Sequence, residues 1–156
     1  MTVEIPLTRG LVTIVDDEDA EWLMRWKWQA RPSSHATYAV RGEKHEGKSL
    51  SLYLHRVLMS PPPGMVVDHV NRMTLDNRRC NLRICTPGQN QANSVGRKNT
   101  VTGVKGVFKD KGRNGYFSQI GVNGKHIRLG TFPTVEAAAE AYRQAALKYY
   151  GEFARA

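Results

Sequence analysis

Between Ser94 and Thr102 the chain loses every trace of hydrophobic periodicity, and the patterns on its two sides differ. The stretch is polar and contains Gly96, so it reads as a linker. In a chain of 156 residues, a break there leaves two small units, each able to bury only a thin core. The expected domains are residues 1–93, a linker over 94–102, and residues 103–156.

On the N-terminal side, Val3–Ile5 and Leu11–Val15 are short β-type runs flanking Thr8-Arg9-Gly10, which predicts a hairpin. Asp16-Asp17-Glu18-Asp19 opens a helix to about Met24, with acids where the helix dipole favours them and Trp22 and Leu23 buried. Trp26-Lys27-Trp28 alternates as a strand does, and Thr37–Arg41 and Ser49–Tyr53 predict two more strands. Leu54–Met59 reads as a short helix stopped by Pro61-Pro62-Pro63-Gly64. After it come Val66-Val67, a polar loop, Asn81–Cys85, and a helix capped by Thr86 with Pro87 in its first position.

On the C-terminal side, Val104–Lys109, Tyr116–Val122 and Lys125–Thr131 predict three strands. Asn123-Gly124 between the last two is the strongest short hairpin signal a sequence carries. A helix then runs from a Thr134 cap to Gly151. Val135, Ala138, Ala139, Tyr142, Ala145, Ala146 and Tyr149 mark its apolar face at helical spacing. The alanines let it lie close to a sheet, so this face is core and not a cofactor box.

The formal charge of +9 is uneven. From Arg97 to Arg128 eight Lys/Arg stand against one acid, Asp110, whereas residues 1–93 hold twelve against ten. Such a local surplus predicts a polyanionic partner, nucleic acid first. No apolar run approaches the roughly 20 residues of a membrane span, and the N-terminus lacks the basic and apolar regions of a signal peptide. A cytoplasmic protein with no membrane association is expected. Cys80 and Cys85 fit neither a disulfide framework nor a zinc-ligand pair and read as buried, reduced thiols.

The densest chemistry lies between Asp68 and Asn93. Asp68 and His69 end a short strand, so their side chains point to opposite sides, and Asn90 lies on the helix that follows the second strand. A carboxylate and an amide oxygen suit Mg²⁺, and a neutral imidazole deprotonates water near pH 7. Together they are parts for phosphodiester hydrolysis. Taken singly, an Asp-His pair is a loop cap, Asn81 a turn residue and Asn90 a surface residue. His35 and His45 sit in polar loops without a role, and His55 reads as structural.

With Asn81-Leu82-Arg83 between them, Asp68-His69 and Asn90 resemble the His-Asn-His endonucleases of phage and intron-homing type. The ββα-metal (His-Me finger) fold of that family matches the strand–loop–strand–helix order, over about residues 65–93. The resemblance implies His69 as general base, Asp68 and Asn90 as ligands of Mg²⁺ (Mn²⁺ able to substitute), and Asn81 as the brace of the loop that orients His69. It implies no small-molecule cofactor. Two positions depart from the family: Asn90 stands where many members have histidine, and Asn71-Arg72-Met73 replaces the usual Asp-Gly-Asn.

Gly103–Gly151 resembles the DNA-binding domain of plant ethylene-response factors, the APETALA type. The landmarks are Gly103-Val104-Lys105-Gly106-Val107, Tyr116, Ile120, Leu129-Gly130-Thr131-Phe132 and the alanine-rich helix. In that family a three-stranded antiparallel sheet backed by one helix enters the major groove, where a sheet can read base edges. Carried over by position, the DNA-facing residues are Lys105, Phe108, Lys109, Arg113, Tyr116, Gln119, His126 and Arg128. The whole reads as an α+β protein that cleaves or nicks double-stranded DNA with Mg²⁺, as a monomer or weak dimer. The alternative is a non-cleaving, sequence-specific DNA-binding regulator.

Overall fold

The computed structural model describes residues 1–34, 36–94, 101–112 and 114–155, so most of the expected linker lies outside the described residues. The fold is mixed α/β, with four α-helices and several small antiparallel sheets among those residues. No described helix is long and apolar enough to cross a membrane. The chain divides into two compact units, Met1–Cys85 and Thr86–Ala156.

The first unit begins with the expected hairpin, β1 (Thr2–Pro6) and β2 (Val12–Asp16), joined through a 3-10 turn at Thr8–Gly10. Helix α1 (Asp17–Leu23) follows with Asp17, Glu18 and Asp19 in its first turn. The expected strand at Trp26–Trp28 does not form. The Trp28 indole N–H donates to the Leu23 carbonyl at 2.9 Å, closing the end of α1, and Arg41 lies 4.1 Å over the Trp26 ring. A strand begins only at Gln29, as β3 (Gln29–Pro32), and joins β4 (Thr37–His45) and β5 (Lys48–Tyr53) in the sheet β3–β4–β5. Helix α2 (Leu54–Met59) ends at Ser60, ahead of the prolines. A second hairpin, β6 (Val66–His69) and β7 (Leu82–Cys85), pairs Asp68 with Arg83 and His69 with Leu82. Leu54 and Leu58 of α2 share one buried cluster with Val67 and Leu82 of this hairpin and with Val15, Leu23 and Trp28. Cys85 is buried, but Cys80 is exposed, because it falls in the polar turn before β7.

The second unit opens with α3 (Pro87–Asn93), whose Thr86 and Gln89 form a capping box. By its packing this helix falls in the second of the two compact units. Its last carbonyls explain why: Lys105 Nζ donates to those of Gln91, Ala92 and Ser94 at 2.9, 2.6 and 2.8 Å, and the Arg155 N–H donates to that of Ala92 at 3.3 Å. The sheet is β10–β9–β8, from β8 (Val107–Asp110), β9 (Gly115–Val122) and β10 (Lys125–Phe132). Val104–Gly106 stays outside β8, with Gly106 at φ 71° and packed so close to Tyr142 that any Cβ there would overlap its ring. Asn123 and Gly124, at φ 49° and 76°, make the tight hairpin their sequence predicts. Helix α4 (Val135–Tyr150) takes its Thr134 cap and lays Tyr142, Ala145 and Ala146 on Ile120. Tyr149 points outward, and Tyr150 packs against that core in its place.

Candidate active site and nucleic-acid interface

His69 ends β6 and is 5% exposed, although it is a polar residue at a strand end. Its Nε2 lies 3.1 Å from Asn77 Oδ1. The ring also packs against His55 of α2, edge to face at a centroid distance of 5.1 Å, and against Tyr38 of β4 at 6.4 Å. Burial pushes the His69 pKa below that of an ordinary histidine, and the bond to Asn77 and the charge of Asp68 oppose that shift in part. His55, enclosed by Tyr38, Tyr53 and His69, is pushed down to about 3, by burial first and then by His69 and Arg56. Both imidazoles are therefore neutral near pH 7.

Asp68, on the other side of the strand, is also buried and accepts from Arg83 Nε at 2.9 Å and from a terminal guanidinium nitrogen at 2.8 Å. The cross-strand register sets Arg83 opposite it. Asn81 spans the loop between the strands. Its Oδ1 accepts from the Asn71 N–H at 2.9 Å, and its Nδ2 donates to the Asp76 carbonyl at 2.7 Å. The Asp76 carboxylate takes both Arg78 and Asn71, and these hydrogen bonds hold its pKa below the usual carboxylate range. Within this loop Arg72 adopts φ 65°, the left-handed conformation. The loop keeps its shape without the glycine that would adopt it at no cost. Asn90 stands on α3, in the second unit, and is exposed.

Strand register sorts the expected DNA-facing residues. Phe108 pairs with Phe117, Gln119 with Arg128, and Gly121 with His126, so Phe108, Gln119, His126 and Arg128 share the sheet face away from Ile120 and α4. Lys109 pairs with Tyr116 one residue out of phase, and both fall on the α4 side instead. Lys105 gives its donors to α3, and burial holds its ammonium pKa down to about 8, with Arg155 adding to the shift. Arg113 lies outside the described residues.

The outer face also carries residues missing from the sequence-derived set. Phe117 stacks on Phe108 at 5.2 Å, and the Arg128 guanidinium sits 4.5 Å over the Phe117 ring, reaching Asp110 and Thr131. Period-two alternation from Gln119 points to Phe117, so that signal was available. Thr13, Asn77, His55 and Tyr38 around His69 had no comparable spacing signal.

Residues 60–92 match the HNH endonuclease family, and residues 102–152 match the AP2 domain family. Over 93 residues the chain is 38% identical to an uncharacterized HNH endonuclease of Acanthamoeba polyphaga mimivirus, covering 60% of this chain and 47% of that protein. Over 94 residues it is 29% identical to Protein 3.8 of Escherichia phage T7, covering 60% of this chain and 77% of that protein. The chain thus spans about half the length of the first of these relatives. No solved structure gives a significant match. The chain therefore carries an HNH endonuclease domain followed by an AP2 DNA-binding domain.

Proposed function

We propose that this protein is a divalent-metal-dependent endonuclease of double-stranded DNA, in which the HNH-matching residues 60–92 supply the ββα-metal element and the AP2 domain supplies affinity for the duplex. The observation that carries this reading is a buried, neutral imidazole held on a strand next to a buried carboxylate. A neutral His69 can accept a proton from the water that attacks the scissile phosphate. Asn81 holds the loop at the end of β6 and so keeps the ring in place.

Asp68 and Asn90 would hold the metal. Their oxygen donors fit Mg²⁺ or Mn²⁺ in kind, and the Asp68 carboxylate already binds a cation, the Arg83 guanidinium. A divalent ion there would neutralise the phosphate and the departing 3′ oxygen. On the AP2 sheet, Gln119, His126 and Arg128 offer donors to phosphates or base edges, beside the Phe108–Phe117 pair. Supercoiled plasmid incubated with the protein tests the reading. Mg²⁺ or Mn²⁺ should convert it to nicked or linear DNA, and EDTA should stop the conversion. Equal conversion in EDTA would remove the metal from the account, and no conversion with any divalent ion would favour the non-cleaving regulator.

A further inference from the structure

Two polar side chains beside His69 are as deeply buried as any in the first unit: Thr13 is 0% exposed and Asn77 1%. They form one chain of hydrogen bonds. The Thr13 hydroxyl donates to the Leu75 carbonyl at 2.8 Å, Asn77 Nδ2 donates to Thr13 Oγ1 at 2.7 Å, and Asn77 Oδ1 lies 3.1 Å from His69 Nε2. A hydroxyl has a single hydrogen. Because Thr13 gives its hydrogen to Leu75, its oxygen can only accept from Asn77, and it must face the amide nitrogen. The amide oxygen is thereby turned to the imidazole. An amide oxygen only accepts, so Nε2 must carry the hydrogen and Nδ1 the lone pair.

Reversing the amide breaks this sequence. Thr13 would have to donate to Asn77, Asn77 would donate to Nε2, and the Leu75 carbonyl would lose its hydroxyl donor. Three buried hydrogen bonds would become two, and buried polar groups rarely give up a partner.

We propose that Thr13 and Asn77 are positioning residues that fix His69 as its Nε2–H tautomer, which makes Nδ1 the proton-accepting atom. Thr13 stands on β2, in the N-terminal hairpin and outside the residues that match the HNH family. The hairpin is tied to the site loop through the backbone: the Ile14 N–H donates to the Leu75 carbonyl and the Asn77 N–H to the Ile14 carbonyl, both at 2.8 Å. Asp16 accepts from the Arg79 N–H at 2.7 Å. The first sixteen residues are thus a working part of the site. The tautomer follows from these bonds alone, and its consequence for cleavage rests on His69 being the general base.

Two readouts on the full chain test it: the ¹⁵N and ¹H signals of the His69 ring near pH 7.5, and the single-turnover cleavage rate at saturating DNA with Mg²⁺. The wild type should show a protonated Nε2 and an unprotonated Nδ1. Thr13→Val keeps the shape and removes the hydroxyl. It should bring in the Nδ1–H tautomer and lower the rate by roughly 10–100-fold, the range for losing an outer partner of a site residue, with DNA affinity unchanged. Thr13→Ser should restore both. A wild-type ring protonated on Nδ1, or an unaltered tautomer in Thr13→Val, overturns the proposal, and the wild-type spectrum decides even if the variant does not fold. If the tautomer changes in Thr13→Val and the rate does not, the proposal stands and the general-base reading of His69 is what fails.

Discussion

His55 should make the first unit acid-sensitive, by an amount its surroundings fix. In the folded protein its pKa is about 3, whereas an unfolded histidine titrates at 6.5. Between those values the unfolded chain binds a proton that the folded one excludes, so stability rises with pH across the window and is lost as pH falls through it. The limiting slope is about 1.4 kcal/mol per pH unit. From pH 6.5 to pH 4.5 the loss is about 2 kcal/mol, a large part of the stability of a small domain. His55→Phe keeps a ring among Tyr38, Tyr53 and His69 but cannot take a proton. His69 and the carboxylates titrate in both proteins, so the difference between the two isolates His55. Urea unfolding followed by fluorescence of the first unit's tryptophans, at several pH values from 7.5 to 4.5, measures it. The wild type should lose about 2 kcal/mol more than His55→Phe between pH 6.5 and 4.5. Parallel losses in the two proteins would mean that His55 already titrates normally in the folded state, and the packing described around it would be wrong.

Two other substitutions test separate parts of the structure. Arg72→Gly should be neutral or raise stability by up to about 1 kcal/mol, seen as a higher Tm, because it removes a left-handed strain while adding some freedom to the unfolded chain. A β-branched residue there, as in Arg72→Val, should destabilise, and equal Tm values for the two variants would show that the turn is not left-handed. Arg128→Ala should weaken duplex binding by about 1 kcal/mol or more and leave the single-turnover rate at saturating DNA unchanged. Unaltered binding would remove the outer sheet face from the DNA contact.

The sequence is legible where local chemistry decides. The limits of α2 follow from a proline stop, the α3 cap from Thr86 with Pro87, and the β9–β10 turn from Asn-Gly, each through backbone constraints within a few residues. The Trp26–Trp28 strand misleads because alternation fits a strand equally well when one indole is closing a helix and the other covers an arginine. Thr13 is hidden by phase. In Val12-Thr13-Ile14-Val15 apolar residues occupy both faces, and the face turned inward is set by the contact with Leu75 and Asn77, more than 60 residues away. Lys105 reads as one more basic residue in a basic stretch, and only the carbonyls of α3 show that its donors are taken. The DNA-facing set carried over from the family mixes two phases of β8 and β9, which the register separates. The Asp68–His69 pair and Asn81 are legible because their chemistry and spacing are read within one short hairpin.

In the proposed reaction His69 takes the proton from the attacking water. Single-turnover cleavage by His69→Ala, with Mg²⁺ and saturating DNA and with duplex affinity measured in parallel, tests it most directly. The rate should fall by at least roughly 10²-fold with DNA affinity unchanged. A rate within a few-fold of the wild type, at equal affinity, would contradict it.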